Sequence, residues 1–273
     1  MFKDQTFWIT GASSGIGAAF ARQLAKQGAF LILSGRNMAA LDDVAGQCGR
    51  DRCLVLAFET TDYDALPGLV DQAWGWRGSI DGLVNNAGIS QRSLAVETAF
   101  PVYQKVVDVD LLAPIALTQL VLPRMVTRGS GRLVFISSVA GKVGSPMRTA
   151  YSAAKHGLIG YADALRVEVA ALGLQVHVIA PGSVRTDVSR NAILADGSRR
   201  GVSDEAIENG MDPDKAAKRM LRAMARGDRE ILIAKGVERT IARLRGKSPN
   251  KLFDMMEKMM AAGYAQKMKG DQS

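Results

Sequence analysis

Only two cysteines occur, Cys48 and Cys53, and neither a CxxC pair nor a His/Cys cluster accompanies them. That argues against a zinc site and leaves no disulfide framework to hold the fold. Both read as reduced, packed thiols. Nowhere do about 18 uncharged apolar residues run together, the length a membrane helix needs, so no spanning segment is expected. The opening MFKDQTFWITG enters a strand almost at once, and no targeting segment is expected there. Reduced thiols without a leader make the expected compartment cytoplasmic. Residues 1–235 hold no internal repeat and no low-complexity linker. No nucleic-acid module is visible, so nucleic acid is not expected as a partner.

What the chain does have is core-forming material. It is 47% hydrophobic and 23% charged, an ordinary globular mixture. A chain of 273 residues buries roughly three quarters of its unfolded surface, so its core needs neither metal nor disulfide. The formal net charge is +8. Beyond aiding solubility, a basic surface attracts anions such as phosphorylated cofactors or acidic lipid.

Short apolar runs alternate with longer helical patterns. Strands are expected at Thr6–Thr10, Phe30–Ser34, Cys53–Phe58, Gly82–Asn85, Arg132–Ser137, Gln175–Ala180 and Glu230–Ala234, with helices between them. Two of the helices, about Thr98–Val126 and Ala150–Leu172, are apolar beyond a single stripe. Near-continuous hydrophobic strands such as LVFIS and VHVIA suit a parallel sheet covered on both faces. The alternation itself calls for βαβ units with right-handed crossovers. The expected fold is a three-layer α/β sandwich over residues 1–235. Residues 236–273 differ, being basic and Met-rich. Asn250–Lys269 reads as one helix with Leu252, Phe253, Met256, Met259 and Met260 at helical spacing. Such a stripe packs on its own domain or on a partner subunit. Attachment to a membrane surface by a basic amphipathic helix is the alternative.

After the first strand comes Thr10-Gly11-Ala12-Ser13-Ser14-Gly15-Ile16-Gly17, and then a helix. Glycines allow a tight turn and a close approach of backbone N–H groups to a pyrophosphate. The helix N-terminus adds a partial positive charge. A strand before and a helix after are the context a dinucleotide site requires, although the spacing is GxxxGxG. The second strand ends Leu33-Ser34-Gly35-Arg36. An acid there would hold the ribose 2′-OH of NAD, whereas an arginine accommodates the 2′-phosphate of NADP. Arg36 therefore points to NADP(H).

Tyr151 and Lys155 stand four apart in YSAAKHGL, and Ser138 lies thirteen residues before Tyr151. At helical spacing the first two share a face. Reducing a carbonyl requires hydride on carbon and a proton on oxygen. A phenol can give that proton, but its ordinary pKa of about 10 is too high for reversible work near neutrality. A lysine ammonium about 4 Å away favours phenolate by about 4 kcal/mol at an effective dielectric near 20. A serine hydroxyl can hold and orient the substrate oxygen.

TGASSGIG, NNAG at Asn85–Gly88, Ser138, YSAAK and PGSVRT at Pro181–Thr186 occur in order. Together they resemble the short-chain dehydrogenase/reductase family over residues 5–235. The passages SSVAGK, PGSVRTDVS and GMDPDKAAKRMLRAMARGDREILIA are similar to the branch of dehydrogenase/reductase members 7 and 7B. The resemblance implies a Rossmann-type, seven-stranded parallel sheet in the order 3-2-1-4-5-6-7. It implies that Ser138 orients the carbonyl, that Tyr151 is the acid/base, and that Lys155 also holds the nicotinamide ribose. Gly11, Ser13, Ser14, Gly15, Ile16 and Gly17 would line the pyrophosphate. Asn86, Ala87 and Gly88 would support the sheet and the adenosine ribose. Pro181, Gly182, Val184 and Thr186 would meet the nicotinamide end. The two long helices would pair across a twofold axis, giving a homodimer or homotetramer.

Two positions depart from the family's pattern. Glu59 stands where aspartate is common, near adenine, and Asp110 stands where the family has its catalytic asparagine. That asparagine helps hold a proton-relaying water. Asp110 would either pair with Lys155 or leave the water to its backbone carbonyl. If the relay were damaged, the chain would bind cofactor with little activity. Segment 187–211, carrying Ile193 and Leu194, is expected to form a lid, with Val143 and Met147 on the pocket wall. The expected substrate is a partly apolar organic carbonyl or alcohol.

Overall fold

The computed structural model describes residues 1–269 of the chain. Seven strands form one parallel sheet in the order β3-β2-β1-β4-β5-β6-β7. They are β1 (Thr6–Thr10), β2 (Phe30–Gly35), β3 (Cys53–Ala57), β4 (Gly82–Asn85), β5 (Gly131–Ile136), β6 (Leu174–Pro181) and β7 (Glu230–Ile233). The expected strands are all present, and their ends agree to within one residue.

Alternate residues of each central strand enter different layers. Phe7, Ile9, Leu31, Leu33, Val134 and Ile136 face α1 (Gly15–Ala25), α2 (Met38–Cys48) and α8 (Pro213–Ala225). Trp8, Ile32, Leu133 and Phe135 face α3 (Leu66–Arg77), α5 (Ala113–Arg128) and α6 (Thr149–Val169). Both faces are therefore apolar, which is why the strands read as unbroken hydrophobic runs. Each fully buried Leu, Ile or Phe contributes about 1.5–3 kcal/mol. The indole N–H of buried Trp8 donates to Ser34 Oγ at 2.8 Å, so that donor is not left unpaired in the core. Both cysteines are free, Cys48 buried and Cys53 partly so.

Helix ends follow local chemistry. Asn37 caps α2 by accepting the Ala40 N–H, and Asp212 caps α8 by accepting that of Lys215. Gly129 closes α5 in the left-handed region, at φ 69°.

Three helical expectations need correction. The stretch placed at Thr98–Val126 is α4 (Phe100–Val107), a π turn at Asp108–Leu112, and α5. By length and composition alone this continuous helix could cross a bilayer, although Lys105, Asp108, Asp110 and Arg124 interrupt its apolar run. Here it is a layer of the sandwich, laying Leu117, Val121 and Met125 on the sheet. The helix placed at Ala150–Leu172 is α6 followed by a 3₁₀ turn, Ala170–Leu172. In the C-terminal extension, Asn250–Lys269 is two helices, α10 (Pro249–Ala261) and α11 (Tyr264–Lys269). Gly263, at φ 87°, breaks the run. A further helix, α9 (Gly236–Lys247), precedes them. Of the Met-rich stripe Leu252 is fully buried, whereas Phe253 and Met259 are exposed.

Candidate active site

The glycine-rich turn is held from behind by neutral hydrogen bonds. Thr10 Oγ1 accepts the N–H groups of Asn86 and Ala87 at 3.0 and 3.1 Å. Asn86 Nδ2 donates to the carbonyls of Thr10 at 2.9 Å and Gly11 at 3.2 Å. Gly11 lies at φ 64°, where side chains are costly. A Cβ on Gly17 would stand 2.2 Å from the Gly11 carbonyl oxygen, so only glycine lets α1 approach its own turn. Ser14 precedes α1 in an extended conformation, and its side chain caps none of the helix N–H groups. The first-turn donors at Gly15, Ile16 and Gly17 thus stay available to an anion. Ser13 Oγ would be 3.4 Å from a Cβ on Gly35 at the end of β2. Thr186, in the loop after β6, reaches to 3.1 Å of the Cβ position at Gly15. This cradle fits a dinucleotide phosphate.

Beside it is a narrow cleft lined by Thr10, Phe58, Thr60, Ala87, Val109 and Ala113. At its rim the structure joins two residues the sequence treated separately. Arg36 Nη1 lies 3.4 Å from Glu59 Oε2, and both side chains are exposed. An exposed pair of this kind contributes less than about 1 kcal/mol, so Arg36 exchanges partners easily.

The second group forms at the ends of β5 and α6. Ser138 follows β5, and its Oγ accepts the Ala140 N–H at 3.1 Å. Its own proton remains free to donate. Tyr151 is half-buried and packs on Val102, Val106, Ala150, Ala154 and Ile193. Lys155 Nζ lies 5.7 Å from the centre of the Tyr151 ring. It donates to the Ile136 carbonyl at 3.1 Å and stands 3.1 Å from Asp110 Oδ2.

Asp110 is fully buried. The π turn carries it inward, the kind of helix irregularity that recurs at functional sites. Its Oδ1 accepts the Ile89 N–H at 2.7 Å. A Cβ on Gly88 would come 3.0 Å from Asp110 Oδ2, so that glycine leaves room for the carboxylate. Burial pushes the Asp110 carboxyl above its ordinary value, against the opposing pull of Lys155 and the Ile89 N–H. Burial works against the Lys155 ammonium too, but Asp110 and Tyr151 outweigh it and raise the lysine. The lysine therefore keeps its proton.

Segment 187–211, which includes the short helix α7 (Glu205–Glu208), lies over this end. Ile193 exchanges backbone hydrogen bonds with Ser90 and Arg92 at 2.8 and 2.9 Å. Within the segment, buried Asp204 receives Arg92 Nε at 2.9 Å, Arg148 Nη2 at 3.2 Å and the segment's own Arg200. Burial works to raise the Asp204 carboxyl, yet the arginines hold it below its usual value. Burial and the neighbouring Arg148 push Arg92 down to about 10. Met147 and Val143 are both buried, and Met147 lies at φ 61°. At the other side, Pro181 pairs with Ile233, and Val184 is buried.

A sequence profile of the short chain dehydrogenase family matches residues 5–196. The chain belongs to the short-chain dehydrogenase/reductase family. As a member it is an oxidoreductase on a Rossmann-like sheet, working with a nicotinamide cofactor on small molecules. Dehydrogenase/reductase SDR family member 7B of Danio rerio is 39% identical over 241 residues, covering 85% of this chain and 78% of the relative. The Drosophila melanogaster SDR family protein 7-like is 38% identical, covering 92% of this chain and 78% of the relative. Both agree with the branch the sequence motifs resemble. Among solved structures, a short-chain dehydrogenase from Streptomyces avermitilis superposes with a TM-score of 0.79 at 27% identity, covering 96% of this chain and 99% of that one.

Sequence reasoning missed Thr10, Ile89, Arg92 and Asp204. Thr10 had a local signal, since it stands at the mouth of the glycine turn. Arg92 and Asp204 had none, being 112 residues apart.

Proposed function

We propose that this enzyme interconverts a carbonyl and an alcohol on a partly apolar organic substrate, using NADP(H). The observation that carries this is the meeting of Ser138, the Tyr151–Lys155 pair and the glycine cradle at one end of the sheet. Gly11, Ser13, Ser14, Gly15, Ile16 and Gly17 would hold the pyrophosphate. Ala87, Gly88, Pro181, Val184 and Thr186 would line the rest of the dinucleotide. When bound, the cofactor supplies or accepts hydride. Ser138 would donate a hydrogen bond to the substrate oxygen, and Tyr151 would pass it the proton. The apolar packing around Tyr151 favours an apolar substrate body, such as a steroid, retinoid or aryl ketone. A panel of such ketones and aldehydes with NADPH should yield turnover with at least one. Cofactor binding without turnover across the whole panel would instead mark a binding protein.

Arg36 supports the choice of NADP(H). A 2′-phosphate would replace Glu59 as its partner, and a charge-assisted hydrogen bond contributes about 1.5–3 kcal/mol. NADPH should therefore bind at least about tenfold more tightly than NADH, and Arg36→Leu should remove most of that preference. Equal dissociation constants in the unmutated protein would overturn it.

The assembly we propose is a homodimer or larger. Phe100 and Leu112 on the α4–α5 helix, and Val167 and Leu172 on α6 and its 3₁₀ extension, are exposed. Exposed apolar side chains on long neighbouring helices fit an isologous interface. Light scattering at micromolar concentration should give at least a dimer mass, and a monomer would exclude this assembly. The compartment we propose is the cytoplasm, on the two free thiols.

A further inference from the structure

β7 ends at Ile233, and after Ala234 and Lys235 the chain enters α9. Glu238, in the first turn of α9, reaches back across the loop that leaves β6. The Ser183 N–H donates to Glu238 Oε1 at 2.9 Å and to Oε2 at 3.0 Å. The Ser183 hydroxyl donates to Oε1 at 2.7 Å. One carboxylate thus takes both donors of one loop residue. These charge-assisted bonds are the stronger kind.

Gly182 gives an independent sign of the same grip. Its φ lies outside the left-handed region, so backbone conformation does not require glycine there. Space does. A Cβ on Gly182 would stand 2.1 Å from Glu238 Oε2, 2.8 Å from Cδ and 3.2 Å from Ala234 Cβ. The glycine of the PGS passage is the seat of the Glu238 carboxylate. On the far side of the same loop, Thr186 meets Gly15 of the cofactor cradle, and Val184 is bridged to Met211. The loop is held between the C-terminal extension and the glycine turn.

We propose that Glu238 is a positioning residue for the dinucleotide. Acting through Ser183, it sets loop 181–186 against the glycine turn, which makes the C-terminal extension part of the cofactor site. This rests on the reading of that loop as the cofactor's nicotinamide-end wall. Glu238 itself would touch no cofactor atom.

The test measures the NADPH dissociation constant by fluorescence titration, beside the melting temperature, for full-length variants. Glu238→Ala is expected to raise the dissociation constant about tenfold, the scale of one lost charge-assisted bond. Glu238→Gln keeps one oxygen for the Ser183 N–H and should recover most of that loss. Gly182→Ala pushes the carboxylate off its seat and should match Glu238→Ala. Added to Glu238→Ala, it should change little more, because the two act through one contact. A Glu238→Ala protein with a lowered melting temperature but unchanged affinity would overturn the proposal alone, as would additive effects of the two substitutions. If the unmutated protein bound neither NADPH nor NADH, the cofactor reading would fall and the proposal with it.

Discussion

Tyr151→Phe should lower turnover by several orders of magnitude while leaving NADPH affinity nearly intact. The substitution removes one oxygen and keeps the ring, and the ring is what packs on Val102, Val106, Ala154 and Ile193. The fold therefore has little reason to notice. The chemistry does, because proton transfer by a positioned group contributes about 10²–10⁴-fold, and Ser138 offers its hydroxyl only as a hydrogen-bond donor to the substrate oxygen. Steady-state rates and NADPH titration on the same preparation check this. A variant retaining most of its activity would show that another group carries the proton. Lys155→Ala is a less clean probe. It strands the buried Asp110 carboxylate, and breaking one partner of a buried pair costs about 3–5 kcal/mol. Its loss of activity would mix chemistry with folding.

Asp110→Asn should both destabilise the protein and shift its pH profile. Oδ1 accepts the Ile89 N–H, while Oδ2, which makes no hydrogen bond of its own, is ion-paired with the Lys155 ammonium at 3.1 Å. Only a carboxylate both accepts that bond and balances the ammonium. An amide turned either way sets its own N–H₂ against one of them, and a buried donor left without an acceptor costs about 1–3 kcal/mol. The melting temperature should fall accordingly. The electrostatic consequence has a definite sign. In the present arrangement the carboxylate offsets the charge of Lys155 near the phenol of Tyr151. Without it the site becomes more positive, which favours the deprotonated base that alcohol oxidation needs. The rise of kcat with pH in that direction should then occur at lower pH, with a higher rate near neutrality. An unchanged profile would show that the side chain plays no electrostatic part, leaving any relay to its backbone carbonyl.

The sheet was legible because its strands are buried on both faces. Runs such as LVFIS leave no choice of exposed side, and register errors have no polar residue to hide in. The Asp110–Lys155 pair was legible as one of two alternatives, since a buried carboxylate needs a cation. What resisted reading has a common physical origin. Glu238 and Ser183 lie 55 residues apart, and no local pattern announces that a first-turn acid will cap a loop instead of its own helix. The π turn adds a residue to a helix whose apolar spacing tolerates it, so periodicity passes over it. Gly263 sat within an otherwise helical pattern, where one glycine costs only about 1 kcal/mol, so the pattern did not announce the left-handed turn that breaks the run there. Arg36 and Glu59 were each assigned to the cofactor, and their attraction for each other was left out.

The four charges gathered where segment 187–211 meets Arg92 and Arg148 carry an evolutionary consequence. Arg92, Arg148 and Arg200 tolerate one another because Asp204 lies among them. Remove one arginine and the aspartate still has two partners. Remove the aspartate and three cations face each other in a dry space, two of them nearly without water. The four positions are therefore epistatic in a fixed order. Lineages drifting away from this sequence should shed arginines first, with Asp204 exchanged only after they have gone.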